Sequence, residues 1–142
     1  MLQSKIDYDI VNRFIPRPLE ENTFSMVDAI LNGHCDESIR IYNDLIVQNQ
    51  NSVVICGSLA TQFRFIYQVL HLKNQGYSND EIANELNTKS GRIFMTLKKS
   101  YGHDEDDILL ILSELAEIDE ALKIKKEEGE LKLELFFIKR RC

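Results

Sequence analysis

The sequence predicts an all-α fold, a helical bundle of about six to seven helices, and three observations carry that prediction. Its two prolines, Pro16 and Pro18, both lie near the start, so no later segment is broken by one. Its six glycines stand singly, and most fall where an apolar pattern of helical period runs out, the usual place of a helix C-cap. No Asn-Gly or Asp-Gly turn joins two alternating runs; the Asn32-Gly33 pair follows a helical pattern instead.

The elements follow in order. Within Met1–Leu19, Asp7 or Asp9 can cap a short turn through Ile10, Val11 and Phe14, and Ile15-Pro16-Arg17-Pro18 then enforces an extended linker. Asn22 or Thr23 is the expected cap of a helix carrying Phe24, Val27, Ala29, Ile30 and Leu31, stopped at Gly33. Asp36 is the expected cap of the next, whose apolar face is Ile39, Tyr42, Leu45 and Ile46. A long helix from about Ser52 to Gln75 presents Cys56, Leu59/Ala60, Phe63, Ile66/Tyr67 and Leu70, and Gly76 closes it. At roughly 100° per residue, Phe63 shares the core stripe with Leu59 and Ile66, and Gln62 and Arg64 flank it.

Ser78 and Glu81 have the spacing of a capping box, which opens a short helix with Ile82, Ala83 and Leu86 inward. Another, from about Lys89, presents Ile93, Phe94 and Leu97. Asp104 caps a helix with Ile108, Ile111/Leu112, Leu115, Ile118/Asp119 and Leu122, ending in the charged run Lys123–Glu128. Asp119 lies on or beside that stripe and needs a basic partner or a helix N-terminus. Glu130–Arg141 fits two periods: Leu131, Leu133, Leu135 and Phe137 alternate as in a strand, whereas Leu131, Leu135 and Ile138 share one helix face. Leu and Glu favour helices, and a lone strand has nothing to pair with, so the segment is read as helix.

Composition bounds the function. The 142 residues carry 17 basic and 23 acidic side chains, a net charge of −6, which disfavours gripping phosphate backbones by counterion release. An apolar share of 44% excludes disorder as the main state. The longest uninterrupted apolar runs, Val53–Gly57 and Ile108–Leu112, predict no membrane span. Cys35, Cys56 and Cys142 are odd in number, far apart along the chain and without a C-x-x-C pair, which fits reduced thiols and a cytoplasmic setting.

Catalytic chemistry finds no constellation. No two glycines are close enough for a phosphate-cradling loop, so no P-loop nucleotide site is expected. His34 and Cys35 are adjacent and point apart, and His71 and His103 lack a ligand at i+3 or i+4. Asp104–Asp107 lacks the glycine and glutamate of a calcium loop and reads as helix capping. Cys56 lies on an apolar stripe, the place of a packing residue. No catalytic residue, cofactor or metal is therefore assigned.

One segment supports two readings. Residues 77–99 resemble a helix-turn-helix, with Lys89, Ser90, Gly91 and Arg92 at the start of its second helix and Lys98 and Lys99 at its end. A small DNA-binding regulator is the alternative function on that basis. The competing reading is a helical hairpin packed into a larger bundle, favoured by the acidic charge of the whole.

Taken together, four stretches resemble the C-terminal region of the delta subunit of bacterial DNA polymerase III, of the clamp-loader family. Asn22–Leu31 (NTFSMVDAIL) is similar to the family's N-x-F-x-L-V-D-A-I, and Leu59–Val69 (LATQFRFIYQV) to L-A-R-Q-F-R-x-L-x-Q-V. Tyr77–Leu86 (YSNDEIANEL) resembles x-S-x-x-E-I-A-x-x-L. Leu112–Lys123 (LSELAEIDEALK) with Leu133–Ile138 (LELFFI) resembles L-x-x-L-A-E-x-D-x-x-I-K followed by L-E-L-F-L-L. The sequence departs from the pattern at Lys89–Ile93, without the family's His-Pro pair, and at Lys123–Gly129, without its later proline.

The resemblance implies a helical collar, or oligomerisation, domain at 20–142, preceded at 1–19 by the tail of a helical lid domain. Such a chain is a fragment with an artificial start at Met1. It implies no catalysis by this chain, within a parent complex that is a DNA-directed DNA polymerase. Implied partners are the other loader subunits, delta prime and tau/gamma. The sliding clamp would be touched only through a missing N-terminal part, and DNA indirectly at most. Subunit interfaces favour Tyr, Phe and Arg at their centres. The expected interface residues are therefore Arg64, Tyr67 and His71, a strip at i, i+3 and i+7 of the long helix, with Phe136, Phe137 and Arg140 on the last.

Overall fold

The structure, a computed structural model, describes residues 18–139. These residues form seven helices and no strand: α1 (Leu19–Leu31), α2 (Cys35–Val47), α3 (Ser52–Asn74), α4 (Asn79–Glu85), α5 (Ser90–Lys99), α6 (Glu105–Ile124) and α7 (Lys126–Lys139). The all-α expectation holds, and Glu130–Lys139 is helical. Expectations placed on residues 1–17 and on Arg140 lie outside the described residues.

Helix ends follow local chemistry. Ser78 Oγ accepts from the Glu81 N–H at 3.2 Å while the Glu81 carboxylate accepts from the Ser78 N–H at 2.9 Å, the reciprocal box that the spacing predicts. Asp104 and Asp107 do the same for α6, at 2.9 and 3.0 Å. Gly76 sits at φ 95°, a left-handed position that closes α3.

Two expected caps are wrong. Helix α1 begins at Leu19, because Pro18 (φ −54°) already stands at the N-cap and Glu20 and Glu21 suit the first turn. Asn22 and Thr23 are buried inside that turn, and the Thr23 hydroxyl donates back to the Leu19 carbonyl at 2.7 Å. Asp36 is likewise inside the first turn of α2, with His34 at the cap.

Helix α3 is the centre. By length and composition it is apolar enough to cross a membrane, but its apolar side lies in the bundle core against α1 and α6. Ile55, Cys56, Leu59, Phe63 and Ile66 meet Met26, Val27 and Ile30 of α1 and Ile108, Leu115 and Ile118 of α6. Tyr42 and Leu45 of α2 and Leu133, Phe136 and Phe137 of α7 complete this core. A second, smaller core lies where the hairpin α4–α5 meets the far half of α3, built on Val69, Ile82, Ala83 and Ile93. His103 Nε2, 2.7 Å from the Leu31 carbonyl, ties the loop before α6 to the end of α1.

Some side chains keep their expected places and others depart from them. Phe94 is 58% exposed, and Thr96 is buried in α5. Asp119 finds its basic partner in Lys123, one turn on, at 2.8 Å. Cys56 is a free, buried thiol. Cys35 is disulfide-bonded, against the expectation of reduced thiols.

Burial sets a pH response. It pushes the Cys56 thiol from 9.0 up to about 11 and the Tyr42 phenol from 10.0 up to about 12. Both groups stay neutral in the fold while the unfolded chain ionises, so their contribution is intact below pH 9 and declines as pH rises toward 12. Each group can cost up to about 1.4 kcal/mol per pH unit within its window. Tyr42 Oη has no hydrogen-bond partner among the described residues. Urea melts should therefore show stability falling between pH 9 and 11, and Tyr42→Phe should flatten the fall above pH 10. A melt midpoint that is level across this range would contradict the buried, neutral assignment.

Candidate docking surface

Residues meant for a partner must be reachable, and the fold sorts the expected ones by that test. Arg64 is exposed on α3, with no ion pair among the described residues. Tyr67 is half-buried, packed on the edge of the main core, and its ring stacks on His71 at 6.0 Å and 17°. His71 leans toward the start of α6, its Nδ1 3.4 Å from Glu105 Oε2, an oxygen that also accepts from Asn74 Nδ2 at 3.1 Å. The three side chains thus form a stacked Tyr67–His71 pair on the same helix as an exposed guanidinium.

Phe136 and Phe137 fail the test. They are 3% and 0% exposed, and the Phe137 ring packs 5.3 Å from that of Tyr42. A partner cannot reach them in this fold. The face of α7 that looks outward instead carries Leu131, Leu135 and Ile138, each about half exposed. Their i, i+4, i+7 spacing puts them on one helix face, as expected, and that face turns outward. Helix α7 mixes apolar residues with charged ones on most of its sides, so periodicity alone could not say which side turns in.

The hairpin α4–α5 settles against the bundle rather than standing free. Arg92 lies over the Phe65 ring, its Cζ 4.0 Å from the centroid. Lys99 pairs with Asp28 at 3.5 Å and lies 5.4 Å from the Phe24 ring centroid. Two of the four cations that a DNA reader would use are thus held on α1 and α3. Among the described residues no three metal-binding side chains converge.

This order of helices has relatives. A family model described as DNA polymerase III delta subunit, C-terminal domain, matches residues 20–140. The chain belongs to that family. Over 136 residues this delta C-terminal domain is 32% identical to DNA polymerase III subunit delta of Bacillus subtilis, covering 96% of the chain and 39% of the relative. The solved structure of the Bacillus subtilis DNA clamp loader delta protein superposes with a TM-score of 0.80 at 32% identity, covering 93% of the chain and 39% of that protein. The delta C-terminal domain thus spans about two fifths of the relatives it matches.

The four stretches that carried the family resemblance fall on α1, α3, α4 and the pair α6–α7. Much of what they specify is buried or caps a helix: Val27, Leu59, Phe63, Ile82, Leu115 and Leu122 are core residues, and Ser78 and Glu81 form the box. The family pattern of a delta C-terminal domain therefore records its scaffold.

Proposed function

We propose that this domain is the oligomerisation module of a clamp-loader delta subunit, joining a collar with the C-terminal domains of delta prime and tau/gamma. Such a subunit serves in loading the sliding clamp onto DNA during replication. The observation that carries the reading is exposed apolar surface that the bundle does not need: Leu131, Leu135 and Ile138 on α7, beside the separate strip Arg64, Tyr67 and His71 on α3. A ring member meets two different neighbours through two different faces, a heterologous arrangement. Two unlike strips on different helices suit that need. The chain itself acts by docking, with no group assigned to catalysis, and contact with the clamp would fall to parts of the protein outside this domain.

The test is co-purification with the purified partner loader subunits. Wild type should be retained, Arg64→Ala/Tyr67→Ala and Leu131→Glu/Leu135→Glu should each lose at least about tenfold in affinity, equivalent to 1.4 kcal/mol, and circular dichroism should show all three folded. Unchanged retention of both variants would remove these strips from the interface.

A further inference from the structure

The hairpin that resembled a DNA reader leaves a cleft where α5 crosses α1 and α3. Its volume is about 270 Å³, below the ordinary range of small-molecule pockets and suited to one or two side chains. Phe24, Phe65, Ile66 and the half-exposed Met95 give it an apolar body. Its charged lining residues are Arg92 and Lys99, and it contains no carboxylate. In a chain of net charge −6 this is a local reversal of sign.

The two cations differ in availability. Lys99 is already paired with Asp28 at 3.5 Å. Arg92 is exposed, has no carboxylate partner among the described residues, and has its Cζ over the Phe65 ring, 4.0 Å from the centroid. A guanidinium over a ring with no carboxylate of its own has N–H donors to offer, and its fork matches a carboxylate bidentately.

We propose that this cleft receives an acidic–apolar segment of a partner protein: an Asp or Glu carboxylate on the Arg92 edge, with a neighbouring apolar side chain between Phe24, Phe65 and Met95. The proposal rests on the docking reading above and adds the chemistry of one contact. A phosphate backbone fits less well, since it brings no apolar side chain for the space between Phe24, Phe65 and Met95, and the acidic chain repels a polyanion more strongly than one carboxylate.

Affinity for the purified partner loader subunits tests it, read by calorimetry at two salt concentrations. Arg92→Glu should weaken binding at least tenfold and Met95→Glu should do likewise, with Arg92→Lys in between and Arg40→Gln, on the far helix α2, within twofold of wild type. Thermal melts confirm that each variant is folded. Benzoylphenylalanine in place of Met95 should cross-link to a partner segment containing Asp or Glu beside an apolar residue. Equal binding by wild type and Arg92→Glu, or a cross-link to a basic segment, overturns the cleft and leaves the docking reading standing. No binding by wild type overturns both. Binding of a labelled DNA duplex at low salt that Arg92→Glu abolishes overturns the peptide assignment in favour of nucleic acid.

Discussion

Replacing Phe63 by alanine is expected to cost about 3–5 kcal/mol, a large part of the roughly 5–15 kcal/mol that holds a typical domain together. Phe63 is 0% exposed at the middle of α3 and belongs to the core that joins α1, α2, α6 and α7. Truncation removes the apolar area of the ring and leaves a cavity that rigid neighbouring helices fill only in part. Phe94→Ala is the control. Phe94 is 58% exposed, so the same chemical change should cost only a few tenths of a kcal/mol. Urea unfolding measures both, and a Phe63→Ala loss below about 1 kcal/mol would contradict the central place given to α3.

The second large effect is at Gly129, where two simple rules give opposite signs. Gly129 is inside α7, so helix propensity alone predicts that alanine stabilises by about 1 kcal/mol. The structure predicts the reverse. A Cβ at this position would stand 2.5 Å from the Leu122 backbone nitrogen and 2.6 Å from its Cα. Those atoms belong to the backbone of α6 and cannot swing away like a side-chain tip, so α7 must shift off α6 and loosen Leu133, Phe136 and Phe137. Overpacking of this kind costs typically 1–3 kcal/mol, occasionally more. Gly129→Ala should therefore lose about 2 kcal/mol net, with Gly129→Val worse. A Gly129→Ala domain that melts at or above the wild-type temperature would show that the α6–α7 approach is looser than described.

Sequence reasoning reached furthest where the determinants are local. The capping boxes at Ser78 and Asp104 need only neighbours three residues apart, and the stripe of α3 needs only one period. It failed where a choice depends on what lies opposite. Thr23 looks like a cap until Pro18 takes the position, and its hydroxyl then serves within the helix and 2.9 Å from Ser58. The i, i+4, i+7 set on α7 looks like a core face until Gly129 presses the other side of that helix onto α6. Arg92 reads as a phosphate contact until α5 lays it on Phe65, 27 positions earlier in the chain. A docking face is the least legible feature of a sequence, since its apolar residues and those of a core have the same composition and differ only in whether the chain itself covers them.

The account stands on docking, and the most direct measurement is the mass of what forms when the chain is mixed with the purified partner loader subunits. Size-exclusion chromatography with light scattering should show the chain alone close to its 16.5 kDa monomer mass. In the mixture it should move into a larger heteromeric species that contains it once. A folded chain that elutes at its own mass from every mixture would contradict the collar assignment.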